Sequence, residues 1–322
     1  MSINLETLTV ADIASALKER RFSAEDLTLA CLQRIAAFNP IYNAMIFENR
    51  SALDEARAID RKRAAGEPLP PLAGVPLVVK DTMDMAGYPT TGGWHLLCTQ
   101  SGGIDLMPER DCPAVALLRK AGCIILGKTN VPILSATGTH ADNSWAGPTI
   151  NSAFPDGVPG GSSAGTASAI AAGFAVLGLA EETGGSIQNP ASAHGLVGVK
   201  PTFGLVPNVG VMPLGANTLD VIGPITRTVR DAALMLDALA GPYYDDPKTT
   251  DVGPYLPEGG YAASLNETAL KGARLGLYGE GWRKNSGGWR SMPLHPDIVS
   301  AYQRAQGEIV KLGAILVDDP MA

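Results

Sequence analysis

The N-terminal part of the chain places its hydrophobic residues at helical spacing. Ile13 and Leu17 lie one turn apart in such a pattern, and Ser23 precedes an acidic pair and then leucines at the same period. A serine followed three positions later by an acidic residue is typical of a capped helix N-terminus. A further amphipathic, charge-rich pattern covers Ala52–Ala64. Together these patterns predict helices within residues 8–64.

Beyond a linker rich in proline and glycine at residues 66–71, short apolar runs replace the helical pattern. Strands are predicted at Val75–Val79, Cys123–Leu126, Leu196–Val199 and Ala314–Val317. Helices are predicted at Pro113–Ala121, Thr166–Phe174 and Ile298–Leu312. Strands that alternate with helices are typical of an α/β fold with a largely buried sheet. We therefore expect N-terminal helices, residues 1–65, packed on one integrated α/β core, residues 66–322.

Composition and charge limit the partners of this chain. The formal net charge of −7 disfavours a polyanion, because phosphate binding needs a dense basic patch. No apolar run is long enough to span a membrane, and the first residues lack the basic and apolar parts of a secretory signal. Four cysteines without a CxxC pair are typical of free thiols in a reduced compartment. We therefore expect a cytoplasmic protein with no nucleic-acid or membrane partner.

Two further patterns predict the absence of a ligand. The histidines show no metal-ligand spacing, so we expect neither a metal site nor a cofactor. Gly122–Thr129 matches the phosphate-loop pattern GxxxxGK[ST], in which a strand precedes the first glycine and a helix follows the last residues. Here the strand-like residues lie between the glycines and Pro132 follows closely, so we predict a strand and not a nucleotide site.

Candidate chemistry begins at Lys80, which directly follows the apolar run Val75–Val79. A lone lysine at a strand end is more often solvated, but this run favours partial burial. Burial disfavours the charged form and lowers the pKa of a lysine. A neutral amine at pH 7 requires a drop of about three units, or roughly 4 kcal/mol. Such an amine is a competent general base.

Two serines framed by glycines supply the other candidate groups. Ser162 lies in Gly160–Gly165, which is either a flexible linker or the glycine-rich approach to a packed helix, whose backbone N–H groups can then approach another group closely. Ser186 ends the run Thr183–Ser186, which is either a tight turn or an oxyanion hole. In an oxyanion hole each donor contributes about 3 kcal/mol in the transition state. Two hydroxyls and one lysine indicate a hydrolase that uses no histidine.

An alternative nucleophile is Ser163. It is the central residue of Gly161–Gly165, which matches the GxSxG elbow of α/β-hydrolases. This short pattern also needs a later histidine with an acidic partner, and only His194 and His295 lie downstream. The elbow is the weaker of the two interpretations.

The chain resembles the amidase signature family of serine hydrolases. The segments that carry the resemblance follow the family's order: Gly74–Asp81, Leu126–Asn130, Gly160–Gly165, Thr183–Pro190, Gly198–Thr202 and Leu219–Ile225. The resemblance implies an α/β fold with a large mixed central β-sheet, α-helices on both faces of it and an N-terminal helical segment.

The same resemblance implies a Ser–cis-Ser–Lys triad. Ser186 is expected to be the nucleophile, Ser162 the bridging serine and Lys80 the base. A cis peptide is expected between Gly161 and Ser162, and Gly161 and Ser163 are expected to support the site. The oxyanion hole is expected to be lined by the main-chain N–H groups of Thr183, Gly184, Gly185 and Ser186.

Three departures from the family pattern stand out. Glu182 and Gln188 replace the usual aspartate and arginine around the nucleophile loop, and Ala164 replaces a common glycine. The family usually continues past the last residue of this sequence with part of the substrate pocket, so we expect either a fragment or truncated form that lacks a C-terminal part, or completion of the site by a second chain.

The function implied is cleavage of the C–N bond of a small-molecule amide through an acyl-enzyme, with carbamates and esters left open. One alternative is the A-type subunit of a glutamine-dependent amidotransferase, which works with partner subunits. Another is a non-catalytic protein that retains the fold. A homodimer is also left open.

Overall fold

A computed structural model describes residues 3–215, 219–277 and 295–318. The chain forms two compact units, Met1–Ala262 and Ala263–Ala322. The helices of the first unit are α1 Val10–Lys18, α2 Ala24–Tyr42, α3 Ala52–Ala64, α4 Pro113–Lys120, α5 Ala164–Ala171, α6 Gln188–Ala193 and α7 Val229–Leu239. Its strands are β1 Met45–Glu48, β2 Pro76–Lys80, β3 Ile124–Thr129, β4 Leu177–Glu182, β5 Val197–Gly198 and β6 Val221–Thr226.

The predicted N-terminal helices are confirmed, and side chains define where they begin. The hydroxyl of Ser23 accepts a hydrogen bond from the Asp26 N–H at 2.9 Å, and the Asp26 carboxylate accepts one from the Ser23 N–H at 2.8 Å. Thr9 and Asp12 form the same reciprocal pair at the start of α1. Each pair satisfies main-chain donors that a helix N-terminus leaves unpaired.

The strands of the first unit form one six-stranded sheet in the order β1-β3-β2-β4-β6-β5. β2 is parallel to β3 and β4, while β1, β5 and β6 pair with their neighbours antiparallel. Every residue of β2, β3, β4 and β6 is buried. Because successive side chains of a strand point to opposite faces, both faces of the sheet are covered here. The expected mixed α/β fold is confirmed.

The second unit contains β7 Arg274–Leu277, α8 Pro296–Lys311 and β8 Ile315–Asp318. β7 and β8 pair in parallel. The helix and strand predicted at the end of the chain are confirmed within two residues. Among the described residues no helix combines the length and the apolar character needed to cross a membrane.

The phosphate-loop pattern lies on a strand, as predicted. β3 runs through Gly127 and Lys128, and the buried ammonium of Lys128 lies 2.7 Å from a buried carboxylate oxygen of Asp81. The same ammonium donates a hydrogen bond to the Pro89 carbonyl at 2.7 Å. This lysine therefore joins β3 to the segments that follow β2 from inside the core.

Replacement of Lys128 by methionine is expected to destabilise the fold by about 3–5 kcal/mol, because it leaves the Asp81 carboxylate buried without a cation. Chemical unfolding measures this loss, and Lys62→Met on the exposed face of α3 is the matched control. The double variant Lys128→Met/Asp81→Asn should recover part of the loss. Equal stability of Lys128→Met and the control would show that the ion pair is not structural.

Candidate active site

Lys80 is the last residue of β2, a central strand, and its side chain is 0% exposed. Its amine donates hydrogen bonds to the Ser162 hydroxyl at 2.7 Å and to the Glu181 main-chain carbonyl at 3.1 Å. Burial lowers the pKa of Lys80, and the nearby Glu181 carboxylate opposes that change. Burial therefore favours the neutral form of this amine, whose nitrogen lies within hydrogen-bond distance of a serine oxygen.

Ser162 follows a cis peptide bond from Gly161. A Cβ on Gly161 would lie 2.6 Å from the Thr137 carbonyl oxygen, and one on Gly160 would lie 2.7 Å from the Pro190 Cα. The adjacent glycines therefore let three segments of main chain approach one another around the serine. Ser162 is fully buried, and α5 begins two residues later at Ala164.

Ser186 lies beside this pair but is not joined to it through its side chain. The Ser163 N–H donates to the Ser186 carbonyl at 3.3 Å, and the Ser163 hydroxyl donates to the Glu181 carbonyl at 3.2 Å. The Ser186 hydroxyl makes no hydrogen bond to any residue that the structure describes, and this residue is 8% exposed. The structure thus brings Lys80 and Ser162 together, and it leaves the Ser186 oxygen free.

The glycine loop before Ser186 faces open space. A Cβ added to Gly184 or Gly185 would meet no atom of the described residues within 4 Å, and Gly185 has a φ of +124°. Within the described part of the chain, no acceptor pairs with the N–H groups of Gly184, Gly185 or Ser186. Unpaired donors beside open space form a cradle that can receive an oxyanion.

Two carboxylates hold the ends of this loop. Asp220 accepts a hydrogen bond from the Thr183 hydroxyl, and it also accepts the Leu214 N–H at 3.0 Å and the Gly215 N–H at 2.8 Å. Its side chain therefore fixes the loop where it leaves β4.

Glu182, one of the departures from the family pattern, holds the other end. Its buried carboxylate accepts the N–H groups of Ile187 at 2.8 Å and Gln188 at 3.0 Å, and the Gln188 side-chain amide at 2.6 Å. A glutamate and a neutral amide thus span the loop around Ser186 with three hydrogen bonds. Glu182 and Gln188 therefore connect the two sides of the loop through hydrogen bonds, with no positively charged side chain in the pair.

The described residues provide no histidine partner for Ser163, the nucleophile of the GxSxG alternative. Ser163 is fully buried, with its hydroxyl turned to the Glu181 carbonyl. A ring nitrogen of His194 lies 3.0 Å from the Pro190 carbonyl, and no hydrogen bond joins this ring to a serine in the described residues. His295 belongs to the second unit. Ser163 hydrogen-bonds to β4 in this arrangement, and within the described residues it makes no hydrogen bond to a histidine.

Sequence reasoning missed Glu181, which lies next to the lysine. One carboxylate oxygen is 3.4 Å from the Lys80 amine and accepts the Thr82 hydroxyl at 2.7 Å. The sequence signal for this residue was the acidic pair Glu181–Glu182 at the end of an otherwise apolar strand. No cluster of three or more His, Cys, Asp or Glu residues able to hold a metal ion occurs among the described residues.

The Amidase family model matches residues 26–321, and the chain belongs to the amidase signature family. The A-type subunit of glutamyl-tRNA(Gln) amidotransferase from Nitratidesulfovibrio vulgaris (strain DP4) is 40% identical over 98% of this chain and 60% of that protein. Among solved structures, native peptide amidase from Stenotrophomonas maltophilia has a TM-score of 0.86 at 33% identity, over 98% of this chain and 62% of that one. An amidase family protein from Bacillus anthracis str. Ames has a TM-score of 0.84 at 30% identity, over 98% of this chain and 60% of that one. The chain thus spans about three fifths of the length of these relatives.

Proposed function

We propose that this chain carries the catalytic centre of a serine hydrolase that cleaves the C–N bond of a small-molecule amide. Ser186 is the nucleophile, Ser162 the bridging serine and Lys80 the base. The observation that carries the proposal is the 2.7 Å hydrogen bond from the fully buried Lys80 amine to Ser162. Membership of a family with solved amidases supports the same reaction class.

The proposed mechanism is a proton relay. Neutral Lys80 accepts a proton from Ser162, which accepts one from Ser186, and the Ser186 oxygen attacks the amide carbonyl. The N–H groups of residues 183–186 stabilise the tetrahedral oxyanion. The relay then returns a proton to the leaving amine, and water hydrolyses the acyl-enzyme. Because such hydrogen bonds often tighten only with substrate bound, we expect the free Ser186 hydroxyl to turn towards Ser162 in the complex.

A second candidate substrate is glutamine. The 40% identity to an A-type amidotransferase protein favours it, since release of ammonia from glutamine uses the same acyl chemistry. Under this alternative the chain acts within a complex, and copurification with other subunits together with glutamine-dependent ammonia release would support it.

Covalent labelling tests the proposed function without knowledge of the substrate. A fluorophosphonate should modify the wild-type chain, and mass spectrometry should place the adduct on the peptide that contains Ser186. A panel of aryl amides, short carboxamides, carbamates, p-nitrophenyl esters and glutamine then identifies the substrate class. A well-folded sample that resists the probe would instead support the non-catalytic alternative.

Glu182→Ala is expected to lower the labelling rate by about 100-fold, because the oxyanion loop loses all three of its hydrogen bonds at this end. Gln188→Ala is the matched control, since it removes one of the three and leaves the main-chain pair in place. Its loss should stay within about tenfold. Equal losses in the two variants would show that the carboxylate does not shape the loop.

A further inference from the structure

Glu181 is a buried carboxylate that the proposed relay does not use. It is 2% exposed and occupies β4 next to β2, so its side chain and its main chain both reach the lysine. In its protonated form the Lys80 side chain has three donors. The Ser162 hydroxyl, the Glu181 carbonyl and the Glu181 carboxylate surround it at 2.7, 3.1 and 3.4 Å. Among the described residues, Glu181 thus supplies two of the three polar neighbours of the amine, and the third is Ser162 itself.

Packing alone does not account for this carboxylate. Its second oxygen is buried and has no hydrogen-bond partner among the described residues. An unpaired buried acceptor destabilises the fold, and a carboxylate retained for stability normally has both oxygens satisfied. The only polar contacts of the Glu181 carboxylate within the described chain are with Thr82 and Lys80. The position of Glu181 therefore favours its contact with Lys80, while its unpaired oxygen lowers the stability of the fold.

The charges around Lys80 have a definite order. Burial favours the neutral amine most strongly, and the Glu181 carboxylate is the main opposing influence. Asp220 and Glu182 oppose it more weakly, and their carboxylates already accept hydrogen bonds from the loop around Ser186. Of the carboxylates near the amine, Glu181 is thus the one with the greatest influence on the lysine's charge.

We propose that Glu181 is a positioning residue of this site: it holds Lys80 against Ser162 and stabilises the ammonium form, and so determines the pH at which the lysine becomes a base. This inference rests on the proposed function of Lys80. The negative charge of Glu181 determines the direction of the expected pH shift. The carboxylate delays the loss of the lysine's proton as pH rises, so removal of its charge should allow the base to work at lower pH.

The test is the pH dependence of the fluorophosphonate labelling rate in Glu181→Gln. Glutamine keeps the shape of the side chain and removes its charge. The acid limb of the profile should move to lower pH by about one unit, so that labelling at the acid end rises about tenfold relative to the alkaline plateau. Glu67→Gln is the matched control, because it removes one exposed carboxylate from the linker, and its profile should coincide with that of the wild type.

A second neutral variant, Glu181→Thr, covers the case in which glutamine disturbs folding, since a β-branched residue suits a strand. A shift of the limb to lower pH in either folded variant supports the proposal. An unshifted limb, or one moved to higher pH, overturns it. If the wild-type chain is folded and takes no label, the proposed function fails. Labelled wild type with an unshifted variant removes only the role of Glu181.

Discussion

Replacement of Ser186 by alanine is expected to abolish fluorophosphonate labelling and to reduce turnover on the order of 10⁵-fold or more. The physical reason is that, under the proposed mechanism, the variant lacks the atom that forms the acyl-enzyme, so the lysine and the loop of residues 183–186 have no nucleophile to assist. The fold should be unaffected, because the Ser186 hydroxyl makes no hydrogen bond to the described residues. Intact-mass measurement after labelling, together with a thermal unfolding curve, checks both parts.

Ser163→Ala is the control for the Ser186 variant. It removes a hydroxyl that donates to the Glu181 carbonyl at 3.2 Å, so we expect a stability loss of about 1 kcal/mol and slower labelling that is still readily measured. The reverse pattern, with Ser186→Ala labelled and Ser163→Ala silent, would establish the GxSxG elbow and overturn the triad.

Local sequence rules predicted those parts of the fold that local forces determine. Ser23 with Asp26 closes a capping box whether or not the rest of the chain has folded, and the apolar run before Lys80 is buried wherever a sheet forms around it. The glycines before Ser162 similarly indicated that the backbone lies close to other groups. The structure shows such contacts of Gly161 with Thr137 and of Gly160 with Pro190. These signals lie within a few residues of the feature that they predict.

The elements that were missed depend on distant partners. β1 is a four-residue edge strand whose pattern has no clear alternation, and its place is determined by pairing with β3 far along the chain. β4, β6, α6 and α7 were not predicted as elements either. Pro224 lies inside β6 opposite Leu179, where a proline would ordinarily argue against a strand. Pairing across the sheet overrides local preference at such positions.

The candidate site shows the same division. The lysine and the serines were visible as motifs, but Glu181 was not, because its meaning depends on a contact across 101 residues of chain. Nothing in the sequence alone shows which residue of the Glu181–Glu182 pair turns towards the lysine and which towards the loop. Strand pleat decides this: neighbouring side chains point to opposite faces, so one carboxylate meets Lys80 and the other meets Gln188.

The second large effect is expected for Lys80→Met, which keeps an unbranched side chain and removes the base. The labelling rate should fall by about 10³- to 10⁴-fold, the range that general-base catalysis contributes. The wild-type rate should fall as pH falls, because protonated Lys80 cannot accept a proton. Since burial lowers the pKa of Lys80, this fall should begin below the range of an ordinary lysine. The residual rate of Lys80→Met should lack that acid limb.

A double variant that also changes Glu181 is the control for the Lys80→Met prediction. Lys80→Met leaves the buried Glu181 carboxylate with neither the amine nor the ammonium form of Lys80 beside it, and is therefore expected to lose stability. The double variant Lys80→Met/Glu181→Gln removes both charges and should recover the fold but not the labelling rate. Activity lost through unfolding would return with the fold, whereas activity lost through the missing base would not. A wild-type profile that is flat from about pH 5 to about 9, or rapid labelling of the folded double variant, would exclude Lys80 as the base.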